Sequence, residues 1–273
     1  MAALTDTFTL HNGNTIPKIG FGTWQIPDGA EAYDATAAAL NAGYRHIDTA
    51  RVYGNEPSVG RAVRDSGIAR DELFITTKLP AEVKDYDGAR ASFDVTMAAL
   101  DLDYVDLYLI HAPWPWSDMG SDHREGNKQA WRALEEIFGA GGSRAIGVSN
   151  FQVDDLQSLL TSATVTPHAN QIRYFVGYTQ NDVVEFCAEH NILVEGYSPL
   201  ATGAILDNED VTAIAAKYDR SVAQLCIRYV LQNGILPLPK TTNASRMTEN
   251  ADVDFEIADD DMATLDALTD TES

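Results

Sequence analysis

Four polar side chains at or near the ends of short apolar segments could together carry out acid–base chemistry. Asp48 ends the segment His46–Asp48, and Tyr53 lies on the loop that follows it. Lys78 and His111 stand at the carboxyl ends of two later apolar segments. The phenol of tyrosine has an ordinary pKa near ~10, so it is a poor acid at neutral pH unless its surroundings tune it. A lysine cation beside it would favour the phenolate, and an aspartate would keep that lysine charged.

Each of these residues also has an ordinary structural interpretation. The loop that carries Tyr53 could simply lead into a helix, because Asn55 is a good N-cap residue and Pro57 suits a first helical turn. A lysine at a strand end is commonly a solvated residue, and a single histidine is commonly part of a core. However, four successive apolar segments end in polar groups, since Ser149 and Asn150 end the next one. This repetition favours a site, because α/β folds bind ligands beyond the carboxyl ends of their strands.

The elements that must position these residues alternate between strand and helix patterns along the whole chain. The predicted strands are Lys18–Gly22, His46–Asp48, Leu73–Lys78, Val105–Ile110, Arg144–Val148, Ala169–Ile172, Ile192–Tyr197 and Ile235–Leu238. The predicted helices include Ala30–Asn41, Gly88–Leu100, Asp182–His190, Val211–Tyr218, Val222–Gln232 and Ala244–Asn250. Others pass through Trp131 and Phe138 and lie around Leu156–Leu160. Eight strand–helix units predict a closed (β/α)8 barrel of the TIM type.

Two further elements are predicted outside the eight units. Phe8–Ile16 has the pattern of a β-hairpin with Asn12-Gly13 at its turn. Glu256–Leu268 has the pattern of an additional surface helix. No linker or low-complexity segment interrupts the sequence, so residues 1–273 are expected to form a single domain.

The charge of the chain limits the partners that it could have. Asp and Glu number 41 against 19 Lys and Arg, a formal net charge of −22, and 27 of the acidic residues are Asp. Such a surface would repel nucleic acid and anionic membranes. No apolar run approaches a membrane span of about 20 residues, and the N-terminus lacks the features of a secretory signal. We therefore expect a cytoplasmic protein, and the dispersed acidic residues resemble those of proteins from salt-loving organisms.

Cysteine usage agrees with a reducing compartment and gives no indication of a metal. Cys187 and Cys226 both fall within helical patterns, where they are expected to be small core residues. Their spacing is not that of metal ligands, so no metal site is predicted.

Eight segments of the sequence together resemble the aldo-keto reductases, in order, at family-like spacings and over nearly the whole chain. They are GFGTWQ (Gly20–Gln25), DTARVYGNE (Asp48–Glu56), TTKL (Thr76–Leu79), DLYLIH (Asp106–His111), IGVSNF (Ile146–Phe151), NQIRY (Asn170–Tyr174), GYSPL (Gly196–Leu200) and PKTTNASRMTEN (Pro239–Asn250). The branch that the chain most resembles is the microbial one that includes the 2,5-diketo-D-gluconate reductases.

The resemblance implies an enzyme that reduces aldehydes or ketones to alcohols with NADPH. It implies that Tyr53 is the general acid, that Lys78 and Asp48 tune it, and that His111 orients the carbonyl group of the substrate. These four positions match the family without substitution. The implied partner is a small carbonyl compound, with no nucleic acid and no membrane, and the protein is expected to be a monomer.

The resemblance also implies where NADPH would bind. No glycine-rich dinucleotide fingerprint follows the first strand, so the loops of the barrel must hold the nucleotide. The implied contacts of the nicotinamide and pyrophosphate are Thr23, Trp24, Ser149, Asn150, Gln171, Tyr197, Ser198 and Leu200. Those of the 2′-phosphate and adenine are Lys240, Thr241, Arg246, Glu249 and Asn250. The alternative for Lys240 and Arg246 is that they are ordinary solvated surface residues.

The substrate pocket is less well determined. Trp24, Tyr53, His111 and Trp114 are its predicted contacts. Trp114 and Trp116 are both weaker candidates than Trp24, because core packing would explain them equally well. Ala112 and Arg173 depart from the residues common in the family. Two other functions remain open: a subunit that binds NADPH as a sensor with little turnover, and a sugar-phosphate isomerase on the same barrel.

Overall fold

The computed structural model describes residues 2–272, in which eight parallel strands form one sheet in chain order. The strands are β3 (Phe21–Gly22), β4 (His46–Asp48), β5 (Phe74–Leu79), β6 (Leu107–Ile110), β7 (Ile146–Ser149), β8 (Ala169–Arg173), β9 (Leu193–Tyr197) and β10 (Leu236–Leu238). All but three of their residues are buried, because helices cover the outside of the sheet and side chains fill the inside. Each strand is bounded within a few residues of its prediction.

Two backbone hydrogen bonds close the sheet into a ring. The N–H of Gly20 donates to the carbonyl of Pro237 at 3.1 Å, and the N–H of Gly22 donates to the carbonyl of Pro239 at 3.0 Å. Gly20 allows this close approach, since a Cβ there would lie 2.5 Å from Leu238 and 2.6 Å from His46. The predicted (β/α)8 barrel is therefore confirmed.

An antiparallel hairpin covers the amino-terminal end of the barrel. It consists of β1 (Thr7–Thr9) and β2 (Thr15–Pro17), with Phe8 opposite Ile16. Ile16 packs into the barrel interior against residues such as Phe74 and Ala169, which begin their strands. The predicted hairpin is confirmed, and because it blocks this end, the opposite end is the one open to a ligand.

Eleven α-helices lie within the described residues. They are α1 (Ala2–Thr5), α2 (Ala30–Asn41), α3 (Glu56–Asp65), α4 (Tyr86–Leu100), α5 (Arg124–Gly139), α6 (Val153–Leu160), α7 (Asn181–Glu189), α8 (Glu209–Lys217), α9 (Val222–Gln232), α10 (Ala244–Ala251) and α11 (Asp259–Asp266). The Ser221–Gln224 capping box begins α9 at its predicted residue.

Two helix boundaries differ from their predictions, one because of a local N-cap and the other because of tertiary contacts. The Asp85 side chain accepts from the N–H of Gly88 at 2.7 Å, so α4 begins two residues before its predicted start. The N–H groups of Ile257 and Ala258 donate to the side chains of Gln232 and Tyr218. These bonds hold the chain in an extended path, and α11 begins only at Asp259 rather than at residue 256.

Asn55 occupies the N-cap position of α3, but its side chain makes no cap hydrogen bond. The Asn55 amide instead donates to the carbonyls of Thr23 and Ile26 at 3.0 and 2.9 Å. Its oxygen accepts from the hydroxyl of Thr49 at 2.8 Å. The predicted N-cap position is therefore confirmed, but the side chain of Asn55 bonds carbonyl groups on a neighbouring loop rather than the N–H groups of the helix.

Candidate active site

Four polar side chains meet at the open end of the barrel. Asp48 is the last residue of β4, and Tyr53 ends a 3-10 turn on the loop that follows. Lys78 lies in β5, and His111 directly follows β6. Three neighbouring strands and one loop thus bring together residues that are far apart in the sequence.

Lys78 and Asp48 form a buried ion pair at the base of this group. Nζ of Lys78 donates to the two carboxylate oxygens of Asp48 at 2.7 and 2.8 Å, and to the carbonyl of Thr49 at 2.9 Å. Burial lowers the pKa of Lys78, but Asp48 outweighs that effect with help from Tyr53, so the pKa lies above its ordinary value. Lys78 is therefore a fixed cation at neutral pH.

The phenol of Tyr53 lies directly beside this cation. Its oxygen is 3.5 Å from Nζ of Lys78, and the centroid of its ring is 5.1 Å from the same nitrogen. Burial raises the pKa of Tyr53, and the opposing effect of Lys78 is smaller. Lys78 thus acts in the direction expected from the sequence, but burial dominates, and the phenol keeps its proton at neutral pH.

His111 stands against Tyr53 in an edge-to-face contact, with the ring centroids 5.6 Å apart. Burial, and then the positive charge of Lys78, hold the pKa of His111 well below its ordinary value. Its Nδ1 has no hydrogen-bond partner among residues 2–272. A neutral imidazole here can donate a hydrogen bond to a ligand without carrying a charge.

A cleft of about 1100 Å³ opens above these residues. Nearly all of the site residues predicted from the sequence line its wall: Trp24, Asp48, Tyr53, His111, Ser149, Asn150, Gln171, Tyr197, Ser198, Leu200, Lys240, Thr241, Arg246, Glu249 and Asn250. Of the remainder, Lys78 lies behind Asp48 and Tyr53. Thr23 is buried, and its hydroxyl donates to the carbonyl of Asp48 at 3.0 Å, so that it supports the end of β4.

The tryptophans of the loop after β6 are arranged differently from the prediction. Trp116 is on the cleft wall and packs edge-to-face on His111, with the ring centroids 5.5 Å apart. Trp114, the predicted substrate contact, is not among the residues that line this cleft and packs against Trp116 at 5.1 Å. The sequence alone could not distinguish the two, because both are aromatic residues of one proline-containing loop.

Several cleft residues were not singled out individually, although Leu206 lies in the loop Ala201–Asn208, which the sequence indicates as part of the substrate pocket. Val52 and Leu206 are apolar and partly exposed, so they give the mouth of the cleft an apolar character. Arg173 ends β8, forms an ion pair with Glu272 and lies over the ring of Phe175. The rule that strand ends carry functional groups could have identified Arg173, but nothing local distinguished Val52 or Leu206.

A network of polar side chains forms the wall between β7 and β9. The amide of Asn150 donates to the carbonyl of His111 at 2.9 Å, and its oxygen accepts from the hydroxyl of Tyr197 at 2.7 Å. The hydroxyl of Ser149 donates to the carbonyl of Gln171 at 2.8 Å. These bonds fix the ring of Tyr197 at the cleft surface, where a flat group could stack on it.

Gln171 connects two buried carboxylates. Its Nε2 donates to Oδ2 of Asp48 and to Oε2 of Glu195, at 2.8 Å in each case. Because both amide hydrogens are used in this way, Oε1 of Gln171 is the atom that remains to accept a bond from a ligand. Glu195 was not predicted as part of the site, although a single acid within the apolar strand LVEGY was a possible signal.

The other end of the cleft is basic. Lys240 and Arg246 are exposed and form no ion pair with any other residue in the described range. They flank the start of α10, where the side chain of Asn243 accepts from the N–H groups of Ser245 and Arg246 at 2.9 and 3.3 Å. Two unpaired cations near a helix N-terminus can bind a phosphate group.

Between residues 2 and 272, no three His, Cys, Asp or Glu side chains cluster in a way that could hold a metal ion. The helices of this range include none with the length and apolar character that a membrane span requires.

Comparisons with known proteins agree in indicating one family. Residues 18–270 match the model of the "Aldo/keto reductase family". The chain is 44% identical over 267 residues to the glyoxal reductase of Bacillus subtilis (strain 168), covering 97% of this chain and 94% of that protein. A crystal structure of an aldo/keto reductase from Brucella melitensis superposes with a TM-score of 0.89 at 40% identity, covering 96% and 98% of the two chains. A Bombyx mori aldo-keto reductase in complex with NADP gives a TM-score of 0.87 at 33% identity, covering 96% and 92%.

Proposed function

The chain belongs to the aldo/keto reductase family, and on that premise we propose that it reduces the carbonyl group of a small molecule with Tyr53 as the general acid. It is an NADP-dependent oxidoreductase. The observation that supports the role of Tyr53 most directly is its position. The phenol oxygen lies 3.5 Å from a fully buried lysine cation, on the wall of the cleft and beside a neutral histidine.

The residues of the cleft suit two parts of NADPH, the charged 2′-phosphate and the aromatic nicotinamide ring. Lys240 and Arg246 are exposed cations without an ion-pair partner among residues 2–272, and they would hold the 2′-phosphate. The ring of Tyr197 would stack on the nicotinamide, and Oε1 of Gln171 would accept a hydrogen bond from its carboxamide. Leu200 and Ser198 line the stretch between these two ends. When bound, the cofactor would supply the hydride.

The remaining steps belong to the side chains of this protein. The neutral imidazole of His111 donates a hydrogen bond to the carbonyl oxygen and so polarises it. Tyr53 gives its proton to that oxygen as negative charge develops there. The phenolate that remains is stabilised by Lys78, which Asp48 keeps charged and immobile. Water must then return the proton to Tyr53.

The substrate is proposed to be a small carbonyl compound, and part of the cleft that would hold it is apolar. Trp24, Val52 and Trp116 are each more than a third exposed at the cleft, so an apolar group could pack against them. The glyoxal reductase relative points to short aldehydes, whereas the resemblance to the diketogluconate reductases points to keto-sugars. A panel of both classes with NADPH would distinguish them.

We also propose that the protein works as a monomer in the cytoplasm of a salt-loving organism.

Replacing the proposed acid tests this function. Tyr53→Phe removes one oxygen and should lower carbonyl reduction by about 10²-fold or more, as expected for loss of a general acid. NADPH binding, followed by quenching of tryptophan fluorescence, should be nearly unchanged. Tyr178→Phe is the matched control, because Tyr178 is exposed and does not line the cleft. Turnover by Tyr53→Phe close to that of the unmodified protein would refute the assignment.

A further inference from the structure

Glu195 is a buried carboxylate that the proposed chemistry leaves without a role. It lies in β9 and is 0% exposed. Its Oε2 accepts from Nε2 of Gln171 at 2.8 Å, while its Oε1 has no hydrogen-bond partner within residues 2–272. Burying an ionised carboxylate with one oxygen unsatisfied is costly, and a proton on that oxygen removes most of the cost. Burial, and then the negative charge of Asp48, raise the pKa of Glu195 to about 7.

The charged groups around Glu195 explain why it can gain or lose its proton near neutral pH. Asp48 on β4 and Lys78 on β5 are the charges that act on it, and both oxygens of Asp48 already bond Lys78. Its partner on β8 is the neutral Gln171, and its partner on β10 is the apolar Leu236. One buried cation therefore faces two carboxylates. The group is neutral overall only while Glu195 holds a proton.

Resting on the proposed NADPH-dependent function, we propose that Glu195 couples the oxidation state of the bound nicotinamide to the binding of one proton. Glu195 would be ionised when the bound ring is oxidised and carries a positive charge, and protonated when the ring is reduced and does not. The coupling is electrostatic, since a buried carboxylate attracts a nearby cation strongly where the dielectric constant is low.

The position of Glu195 supports this coupling. Gln171 lies on the cleft wall, and Glu195 is one hydrogen bond behind it. Tyr197, two residues further along the same strand, is also on the wall. A ring held by Gln171 and Tyr197 would therefore be near the carboxylate. Oε2 can accept the bond from Gln171 in both protonation states, so the proton changes the charge of the site without moving Gln171.

The other titratable groups of the cluster keep one state through neutral pH. Burial and Lys78 keep the pKa of His111 far below its usual range, so His111 stays neutral. Burial raises the pKa of Tyr53, so its phenol stays protonated, and Asp48 keeps Lys78 charged. Glu195 is the group of this cluster whose charge changes near pH 7.

Thermodynamic linkage gives the sign of the effect. The ionised form of Glu195 binds NADP⁺ better than NADPH, so NADP⁺ binding lowers the pKa of Glu195 and releases protons. The ratio of the dissociation constants, NADP⁺ over NADPH, should therefore fall as the pH rises through about 7. A difference of one pKa unit between the two complexes corresponds to about a tenfold change in this ratio.

The experiment measures the dissociation constants of NADP⁺ and NADPH by fluorescence titration at constant salt. The pH runs from about 5.5 to 8.5, so that it extends to both sides of neutrality. Both cofactor forms carry the same phosphates, so titration of the 2′-phosphate and of the protein surface cancels in the ratio. Glu195→Gln should bind both forms and make the ratio independent of pH. Glu56→Gln is the matched control, because Glu56 is also buried but bonds Thr77 at 2.6 Å rather than Gln171, and this variant should keep the dependence.

A second measurement needs no variant. Calorimetric titration of the unmodified protein near pH 7, in buffers of different ionisation enthalpy, should show more protons released with NADP⁺ than with NADPH. Equal proton release, or a ratio that stays flat with pH while both forms bind, would overturn the inference and leave the proposed function standing. A pH dependence that persists in Glu195→Gln would assign the proton to another group. Failure of the protein to bind either form would refute the proposed function and this inference with it.

Discussion

The buried ion pair of Lys78 and Asp48 makes a specific prediction about stability and its dependence on pH. Asp48→Asn removes the negative charge but keeps the shape of the side chain. The ammonium of Lys78 would keep its bond to the carbonyl of Thr49 and would remain fully buried. Breaking a buried pair in this way costs up to about 3–5 kcal/mol, because Lys78 must either give up its proton or rely on Glu195, which makes no hydrogen bond to it, as its remaining counter-charge. The free energy of unfolding at pH 7 should fall by about that amount.

The same loss should shrink as the pH rises. In the unmodified protein the pKa of Lys78 is raised, so this pair should add nearly the same stability throughout the range below the ordinary lysine pKa of about 10.4. Without Asp48, burial would depress the folded-state pKa, and the unfolded chain would bind more protons than the folded one. Stability of the variant then rises with pH by up to about 1.4 kcal/mol per unit. Between about pH 7 and 9.5 that amounts to roughly 3 kcal/mol.

Reversible urea unfolding at these two pH values would measure the effect. Asp106→Asn is the matched control, since Asp106 is equally buried but pairs at 2.7 Å with Arg70, whose side chain is 23% exposed. Water can reach that arginine, and it keeps its charge throughout, so the loss should be smaller and independent of pH. An Asp48→Asn variant that matches the unmodified protein at pH 7, or that loses the same free energy at both pH values, would contradict this reasoning.

Three further results are expected. Lys240→Ala combined with Arg246→Ala should weaken the binding of NADPH much more than that of NADH, since each charge-assisted bond to the 2′-phosphate contributes about 1.5–3 kcal/mol. Equal losses of affinity for the two cofactors in fluorescence titrations would show that these residues do not recognise the 2′-phosphate. Because the net charge is −22, the melting temperature should rise from dilute to multimolar KCl as salt screens the repulsion between acidic side chains. A melting temperature that stays flat or falls would refute the halophilic interpretation. Asn55→Ala should cost about 2–4 kcal/mol in urea unfolding, because it leaves the carbonyl of Ile26 and the hydroxyl of Thr49 without their partners, whereas the carbonyl of Thr23 keeps its bond from the N–H of Ile26. A loss below about 1 kcal/mol would indicate that water replaces the amide.

Much of the barrel could be predicted from the sequence because its signals are local. Alternating apolar segments and helical patterns gave the eight units, and the Ser221–Gln224 capping box fixed the start of α9. The ends of parallel strands meet on one side of a sheet. For that reason Asp48, Lys78 and His111 could be assigned to one cluster before any contact between them was known. Their chemical roles remain proposals.

What the sequence could not give depends on contacts between distant residues. Asn55 satisfies carbonyls of another loop rather than its own helix, and Trp116 rather than Trp114 lines the cleft. Local spacing predicts neither outcome. The partners of Asn55 depend on which loop packs beside it, and Trp114 and Trp116 have similar neighbours in the chain.

The electrostatics of the site were decided by burial. A lysine beside a tyrosine predicts a lowered phenol pKa, but burial of the Tyr53 phenol at the open end of the barrel reverses the net direction. Gln171 reaches Asp48 across 123 positions of sequence and joins it to Glu195. Periodicity and motif spacing report which residues lie at a strand end. Only closure of the barrel determines which of them share a dry interior, how many charges face one another there, and therefore which group holds a proton near neutral pH.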